Sequence, residues 1–207
     1  MSTGLFPERT ETDRLVLERL SFDRLDPMAL YDLACTDGWE RATADHMPWY
    51  GFDTPKEVHE YVENAETAWG EADKAVYTVR PKDAEPRAGD LAGLTTLNPE
   101  WDRDRAGAGV VLAAPFWGRG YGVERGREMV RLTFERLDLG AFVTTCAAGN
   151  DRSRGMIESY LVDAGGQCDG LLRHENPRPD GRMTDQYRFS LLREEWERER
   201  EQPNDGG

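Results

Sequence analysis

The chain has 207 residues, of which 38% are hydrophobic and 32% charged, a composition typical of one globular domain with a buried core. Asp and Glu number 40 against 26 Lys and Arg, so the formal net charge is −14. Binding to nucleic acid generally needs clustered cations, so this balance argues against it.

The sequence also indicates a compartment. No apolar run reaches the roughly 18 residues of a membrane span, and the N-terminus lacks the pattern of a secretory signal. The cysteines Cys35, Cys146 and Cys168 have neither metal-ligand nor C-x-x-C spacing, so we expect reduced thiols and no bound metal. These features favour a cytoplasmic protein that does not bind membranes.

The excess of acidic side chains is open to two interpretations. Acidic residues occur in almost every segment, which is typical of a halophilic protein. In about 1 M salt, screening over roughly 3 Å removes the self-repulsion of such a surface. Alternatively, a local acidic funnel concentrates a cationic amine substrate, and the two interpretations are compatible.

The hydrophobic pattern predicts an α/β chain. Apolar runs rich in Val, Thr and Leu predict strands at Leu15 to Leu20, Ala75 to Arg80, Ala92 to Leu97, Ala108 to Ala113, Ala141 to Cys146 and Gln186 to Leu192. Amphipathic periodicity predicts helices at Asp26 to Ala34, Pro55 to about Trp69, Tyr121 to about Leu137 and Asp151 to about Ala164. Thr54 before Pro55 is typical of an N-cap. The strand, helix and strand around Tyr121 predict a right-handed crossover between parallel strands.

The stretch from Val110 to Gly122 is the most informative part of the chain. It reads VVLAAPFWGRGYG, so an apolar strand ends at Ala114 and Pro115, and closely spaced glycines lead into a helix. Such glycines let backbone N–H groups converge at the positive end of the helix dipole, which predicts a phosphate site. Two common nucleotide motifs are excluded, because Val123 or Arg125 replaces the third Gly of G-x-G-x-x-G and no P-loop Lys follows.

This loop resembles the acetyl-coenzyme A pyrophosphate motif of the GNAT superfamily of N-acetyltransferases. In the pattern Q/R-x-x-G-x-G/A, Trp117, Gly120 and Gly122 take the first, fourth and sixth positions. With Trp at the first position, the loop resembles that of the branch of ribosomal-protein alanine N-acetyltransferases (the RimJ/RimL-like branch). Further segments resemble that branch in the same order, namely Glu11 to Leu17, Asn150 with Ser153, Gly170 to Arg173, and Asp185 to Leu192.

The resemblance implies a single GNAT-like α/β domain at residues 8–196 and a charged, flexible tail at residues 197–207. It implies a mixed central sheet of about six to seven strands with flanking helices, in which the fourth and fifth strands splay apart. Acetyl-coenzyme A is the implied co-substrate. The residues implied to bind it are Val110, Val111 and Leu112 through their backbone, the loop residues Trp117, Gly118, Arg119, Gly120, Tyr121 and Gly122, and Asn150 with Ser153.

Two of these residues have alternatives. Arg119 either pairs with a coenzyme phosphate or points to solvent. Asn150 either caps the following helix alone or also contacts the pantetheine arm. The backbone of Val110 to Leu112 is expected to donate to the acyl oxygen, where negative charge develops during transfer, while its side chains pack in the core.

The catalytic acid departs from the usual pattern. Many members of the superfamily carry a Tyr seven residues after the Asn, which protonates the leaving thiolate, but Ile157 stands there in this chain. Tyr160 is expected to pack in the core. Ser153 is the candidate acid that the resemblance implies, with ordinary helix capping as its alternative. The helix after Ile157 is also longer than usual by roughly one turn.

The catalytic base is not fixed by the pattern either. Gly107 and Ala108 stand where the branch often carries a Glu. A water relay from an acidic residue of a neighbouring loop would suffice for an amine near its own pKa. The leading candidates are Glu100 and Glu175, beside Asp102, Asp104 and His174.

The acceptor site is expected in the aromatic-rich segment DHMPWYGFD, Asp45 to Asp53. In similar proteins this region lines the acceptor pocket, and His46, Trp49 and Tyr50 are the candidate substrate-binding residues. The alternative is that these aromatic side chains anchor a loop to the core.

The sequence therefore predicts an acetyl-coenzyme A-dependent N-acetyltransferase, monomeric or homodimeric. The acceptor is a primary amine, either the N-terminus of a protein or a small molecule. Direct transfer within a ternary complex is expected, because no nucleophilic Cys–His pair is evident. A coenzyme A-binding module with lost catalysis is one alternative, and an acidic interaction protein without cofactor is another.

Overall fold

The computed structural model describes residues 4–43, 50–178 and 181–201. The chain divides into two compact units. The first consists of Met1–Pro99 and Ala108–Arg125, and the second of Glu100–Gly107 and Gly126–Gly207.

Helices and strands alternate along the described residues. The helices are α1 (Pro27–Ala34), α2 (Asp37–Thr43), α3 (Pro55–Gly70), α4 (Tyr121–Arg131), α5 (Asp151–Ile157) and α6 (Arg193–Glu201). The strands are β1 (Arg9–Glu11), β2 (Leu15–Arg19), β3 (Ala75–Pro81), β4 (Gly93–Glu100), β5 (Arg105–Leu112), β6 (Ala141–Ala147), β7 (Gln167–Pro177) and β8 (Met183–Leu192).

The first unit is built on antiparallel strands in the order β1, β2, β3, β4, followed by the second half of β5. In the register of these strands, Leu17 lies opposite both Thr10 and Val79. Alternate side chains of such strands point to one face, where they can bury apolar surface. Fully buried side chains of this unit include Leu15, Leu17, Val58, Val62, Val79 and Leu94.

The second unit contains the first half of β5 and then β6, β8 and β7. β5 and β6 are parallel, with Arg105 opposite Ala141 and Ala106 opposite Phe142, so the predicted parallel crossover is confirmed. β8 is antiparallel to both β6 and β7. The core of this unit includes Phe134, Phe142, Tyr160, Leu161, Phe189 and Leu191.

Local sequence explains the start of α3. Thr54 accepts a hydrogen bond from the backbone of Glu57, whose carboxylate accepts one from the backbone of Thr54, and Pro55 occupies the first turn. This capping box satisfies N–H groups that have no partner within the helix. The predicted N-cap is therefore confirmed. Asp26, by contrast, was predicted inside α1 but is its N-cap, because its carboxylate accepts from the backbone of Met28.

The structure extends the predicted elements. The sheet has eight strands rather than about six to seven, since β1 is a three-residue polar strand that lacks an apolar signal. Helix α2 was not predicted. The predicted helices to Leu137 and Ala164 finish as single π-helical turns, Leu132–Arg136 and Glu158–Val162.

The C-terminal part also differs from expectation. Strand β8 begins at Met183 rather than Gln186. A flexible tail was expected from residue 197, yet residues 197–201 belong to α6, so the expected boundary at residue 196 falls inside this helix. Arg200 on α6 donates to Glu135 at 2.6 Å, which gives the last turn a partner.

Candidate functional site

The predicted phosphate loop of the first unit joins β5 to α4. A single 3-10 turn, Ala114–Phe116, follows β5, and Trp117 to Gly120 then lead to the first helical residue, Tyr121. Gly118 and Gly120 have φ values of +71° and +78°, a conformation that glycine adopts without steric cost. Within the described part of the chain, the backbone N–H groups of residues 118–120 have no hydrogen-bond acceptor. Together with the first turn of α4, they fit an anionic phosphate.

The loop is closed locally by its tryptophan. The indole Nε1 of Trp117 donates to the carbonyl of Leu112 at 2.6 Å, and the backbone of Trp117 donates to Ala114 at 3.1 Å. Arg119 is half-buried, and its Nε lies 3.4 Å from the carbonyl of Pro115. Trp117 therefore shapes the turn, whereas the side chain of Arg119 makes a long and weak contact.

An ion pair from a distant part of the sequence holds the other side of the loop. Arg14 donates through Nε to Glu124 Oε2 at 2.7 Å and through Nη1 to the carbonyl of Arg119 at 2.8 Å. The backbone N–H of Arg14 donates to Glu124 Oε1 at 2.7 Å, and the Thr12 hydroxyl donates to the same oxygen. The guanidinium also lies 5.4 Å from the centre of the Tyr121 ring. These contacts join the turn before β2, the loop and the first turn of α4.

The electrostatics of this pair follow from its partners. Burial alone would raise the pKa of Glu124, but hydrogen bonds from Thr12 and Arg14 outweigh burial and lower that pKa. The Glu124 side chain is 15% exposed and that of Arg14 39% exposed. Glu124 is therefore held as a carboxylate that orients Arg14.

A second carboxylate fixes the first helical residue. Tyr121 is almost fully buried, and its hydroxyl donates to Glu85 at 2.8 Å. Burial and this hydrogen bond both raise the pKa of Tyr121. The phenol is thus neutral at physiological pH and anchors the helix start instead of exchanging protons.

Strand β5 carries the predicted backbone donors. Val111 is buried, whereas Val110 and Leu112 are half-buried, so their core packing is only partly as expected. Two hydroxyls contact the backbone of Gly109: Thr95 donates to the Gly109 carbonyl at 2.8 Å, and the Gly109 N–H donates to the Thr96 hydroxyl at 3.1 Å. The role of these backbone groups toward an acyl oxygen stays a prediction.

In the second unit, Asn150 is the N-cap of α5. Its side-chain oxygen accepts a hydrogen bond from the backbone of Ser153 at 3.1 Å, so Asn150 caps α5, and its contact with the pantetheine arm stays a prediction. Ser153 is half-buried in the first turn. Arg154 pairs with Glu158 at 2.9 Å and lies 4.5 Å from the centre of the Tyr187 ring. The cap and the candidate acid therefore lie together, while Tyr160 is buried in the core as predicted.

The two candidate bases have different surroundings. Glu100 ends β4 and pairs with Arg105 at 2.8 Å and Arg103 at 3.1 Å. The hydrogen bond from Arg105 lowers the pKa of Glu100, which makes it a weaker base. Glu175 was predicted in a loop, but it is an exposed residue of β7, because this strand continues to Pro177.

The acceptor segment is described only in part, since His46 and Trp49 lie outside the described residues. Tyr50 is 3% exposed, and its carbonyl accepts from the indole of Trp39 at 2.7 Å. Its ring lies 5.9 Å from that of Tyr61, which in turn lies 5.3 Å from that of Phe52. Burial raises the pKa of both tyrosines, so neither acts as a base near neutrality.

An open groove lies next to these rings. It has a volume of about 300 Å³. Its lining combines two aromatic rings with two carboxylates and an amide, from Gly51, Phe52, Glu57, Glu60, Tyr61 and Asn64. Glu57 already accepts from the backbone of Asp53, and Glu60 pairs with Lys56 at 2.9 Å. Aromatic faces and the remaining carboxylate oxygens both attract cations, which is the chemistry the groove offers to a protonated amine.

The described residues offer neither a metal site nor a membrane span. No group of three or more His, Cys, Asp or Glu in residues 4–43, 50–178 and 181–201 is placed to hold a metal ion. No helix formed by these residues is both long and apolar enough to cross a bilayer. The thiols of Cys35, Cys146 and Cys168 are free, and burial raises the pKa of Cys146 to about 11.

Sequence reasoning missed the side chains that hold the loop. Arg14 belongs to the segment Glu11 to Leu17, to which the resemblance assigns no function, and it likewise assigns none to Glu124 and Glu85. Arg14 and Glu124 are 110 positions apart, so no local spacing connects them. The available signal was an acidic residue in the first turn of α4, a position that favours an anion.

Comparison with known proteins gives matches over most of the chain. Residues 14–160 match the family described as acetyltransferase (GNAT) domain. The chain is 33% identical over 103 residues to FsC-acetyl coenzyme A-N(2)-transacetylase of Aspergillus fumigatus, a match that covers 49% of this chain and 43% of that protein. It is 31% identical over 114 residues to YdaF of Bacillus subtilis, named as a candidate ribosomal N-acetyltransferase, covering 54% of this chain and 59% of that protein. The matches span about half the length of these curated relatives.

A solved structure has the same fold. The microcin C7 self-immunity acetyltransferase MccE, in complex with acetyl-CoA and AMP, is similar to this chain with a TM-score of 0.76. The two share 17% sequence identity over 92% of this chain and 99% of that chain. At this level of identity the likeness concerns the α/β fold.

Proposed function

Because this chain belongs to the acetyltransferase (GNAT) domain family, which its residues 14–160 match, we propose that it transfers an acetyl group from acetyl-coenzyme A to a primary amine. The observation that carries this proposal is the loop between β5 and α4. The N–H groups of residues 118–120, which have no acceptor among the described residues, and the two positive-φ glycines, Gly118 and Gly120, fit a pyrophosphate.

The loop and the first turn of α4 hold the pyrophosphate through backbone N–H groups, and the backbone of Val110 to Leu112 orients the acyl end. Asn150 contacts the pantetheine arm, and Ser153 gives a proton to the departing sulfur. Acetyl-coenzyme A, when bound, supplies the activated acyl group as a thioester.

The base is proposed to act through water. Glu175 is the better candidate, because its carboxylate is exposed, whereas the guanidinium groups of Arg103 and Arg105 pair with Glu100. A mostly protonated acceptor amine needs only one proton removed before it attacks the thioester. A general base of this kind typically raises the rate of the reaction by about 10²-fold or more.

The acceptor is proposed to enter over the groove beside Phe52 and Tyr61. The two carboxylates that line this groove support the proposal that the acceptor is a cationic amine. The candidate ribosomal function in the name of YdaF supports a protein N-terminus, and a small amine is the alternative. The proposed contacts with the acceptor on the preceding segment are His46, Trp49 and Tyr50. The chain is proposed to act in the cytoplasm, as a monomer or homodimer.

A direct test measures thiol release from acetyl-coenzyme A with a panel of amines and peptide N-termini. We expect turnover with at least one acceptor, and a fall of kcat by about 10²-fold in Ser153→Ala. Ser159→Ala is the matched control, because Ser159 has no proposed role and its hydroxyl donates to the carbonyl of Gly155 within the same helix. Turnover that is unchanged in Ser153→Ala would remove the acid role.

A second candidate is a coenzyme A-binding module with lost catalysis. Ile157 at the position of the usual Tyr, and Gly107 and Ala108 at that of the usual Glu, favour it. This candidate predicts calorimetric binding of coenzyme A without thiol release across the whole panel. A chain that neither binds coenzyme A nor releases thiol would contradict both candidates and favour an acidic interaction protein.

The acidic composition supports adaptation to high salt. With a net charge of −14, self-repulsion weakens the folded state at low ionic strength and is screened at high ionic strength. We expect the melting temperature and kcat/KM to rise between about 0.1 M and 1 M KCl. A fall of both over that range would contradict this proposal.

A further inference from the structure

The loop that fits the pyrophosphate is built around a peptide group whose orientation is fixed from outside. The carbonyl of Arg119 accepts a hydrogen bond from Arg14 Nη1 at 2.8 Å. A peptide group is planar and trans, so the N–H of Gly120 points opposite to this carbonyl. The bond from Arg14 therefore turns the Gly120 N–H away from the guanidinium, where no described residue accepts it.

The Glu124 carboxylate holds both the guanidinium and the backbone of Arg14 in place. Glu124 accepts from the Arg14 Nε and from the backbone N–H of the same residue, both at 2.7 Å. The Thr12 hydroxyl completes the set around the Glu124 carboxylate. Nη2 of Arg14 lies 3.1 Å from the place where a Cβ at position 120 would stand, so only Gly leaves room there without a shift. A planar fork with several donors can satisfy such a geometry, while a Lys ammonium cannot.

We propose that Arg14 is a positioning residue for the pyrophosphate loop, acting through the Arg119 carbonyl and oriented by Glu124. The proposal rests on the proposed function, since it concerns the same coenzyme site. Arg14 fixes the direction of the N–H that meets the phosphate. The ligand class it controls is therefore a pyrophosphate-bearing coenzyme, and a pantetheine thioester without pyrophosphate is insensitive to it.

A direct ionic contact between Arg14 and phosphate is the competing explanation, and the variants separate the two. Glu124→Gln keeps the positive charge of Arg14 but loosens its orientation. Positioning predicts weaker binding in this variant, whereas a direct contact predicts tighter binding, because a competing anion has been removed. Arg14→Lys likewise keeps the positive charge but loses the planar set of N–H donors of the guanidinium.

The experiment measures calorimetric affinity for coenzyme A and KM for acetyl-coenzyme A and acetyl-pantetheine in the full chain. We expect Arg14→Gln and Arg14→Lys to weaken coenzyme A binding about tenfold and Glu124→Gln about fivefold, the range for losing one ordinary hydrogen bond. The KM for acetyl-pantetheine stays at the wild-type value in all three. Arg24→Gln is the matched control, because Arg24 pairs with Glu8 and Glu18 and is 33% exposed, similar to Arg14.

Several outcomes would overturn the proposal. These are wild-type affinity in Arg14→Lys, tighter binding in Glu124→Gln, and an equal loss with acetyl-pantetheine, which would indicate general unfolding. If Arg14→Gln does not fold, Arg14→Lys and Glu124→Gln decide the question alone. A wild-type chain that fails to bind coenzyme A overturns the proposed function as well, so the two failures are distinguishable.

Discussion

The loop before α4 and the first turn of α5 are two helix starts built in different ways. The loop is held by Arg14, Glu124 and Glu85, which come from separate parts of the first unit. The first turn of α5 depends on a cap from its own neighbour, Asn150. A helix start held by distant side chains keeps its shape only while the surrounding fold is intact. A locally capped one is set by a few adjacent residues and can be altered with little effect elsewhere.

The largest effect that tests this difference is expected in Glu124→Gln. Loss of charge-assisted hydrogen bonds from Arg14 and Thr12 should lower the free energy of unfolding by about 2 kcal/mol at pH 7. Urea denaturation measures it. Glu8→Gln, which removes an exposed ion-pair partner of Arg19 and Arg24, should stay within about 0.5 kcal/mol.

The Glu124 carboxylate should make the free energy of unfolding depend on pH. The pKa of Glu124 is lower in the folded chain than in the unfolded chain, where it is about 4.3. The stability that Glu124 contributes is therefore complete at a pH above its unfolded pKa, and it is lost as the pH falls through its folded pKa. Wild type and Glu124→Gln should therefore converge in stability as the pH is lowered below about 4. A difference between them that persists unchanged in acid would contradict this account.

A smaller effect is expected from the loop glycine. Gly120→Ala places a side chain at a φ of +78°, which costs about 1 to 2 kcal/mol, and brings its Cβ to 3.1 Å from Arg14 Nη2. Gly118→Ala has a similar φ of +71° but meets no atom within 4 Å. Calorimetry should show a greater loss of coenzyme A affinity in Gly120→Ala than in Gly118→Ala. Equal losses would mean that contact with Arg14 is unimportant.

At α5 the expected effect is local and about 1 kcal/mol. Asn150→Ala removes the cap and should lower the free energy of unfolding by that amount, whereas Asn150→Asp keeps an oxygen that accepts from Ser153. Thermal melting separates the two variants. If Asn150 also binds the pantetheine arm, Asn150→Asp weakens coenzyme A binding without loss of stability. Unchanged binding in Asn150→Asp would leave capping as its role.

The smallest expected change is a gain. Gly155 lies within α5, and a Cβ there would meet no atom within 4 Å. Gly155→Ala should therefore raise the free energy of unfolding by about 0.5 to 1 kcal/mol, because Ala loses less backbone entropy in a helix. Destabilisation by this substitution would show that α5 is not governed by local preferences.

The extent to which sequence predicted structure follows the same division. The capping box at Thr54, the cap at Asn150 and the glycine loop were predictable, because each depends on residues within a few positions. The pairing of Arg14 with Glu124 was not, since it forms only when β2 and α4 come together in the fold. Strand β1 was missed because its side chains are polar, and its pairing with β2 supplies what its composition lacks.

The two π-helical turns have a consequence for the way side chains fill the core. In each of them a backbone N–H reaches back five residues, from Leu137 to Leu132 and from Asp163 to Glu158. Such a turn accommodates one residue more than an α-helical turn. The second turn contains Tyr160 and Leu161, which are both buried. Successive residues of a helix differ by about 100° around its axis, so removal of one residue from this turn would displace one of these side chains from the core.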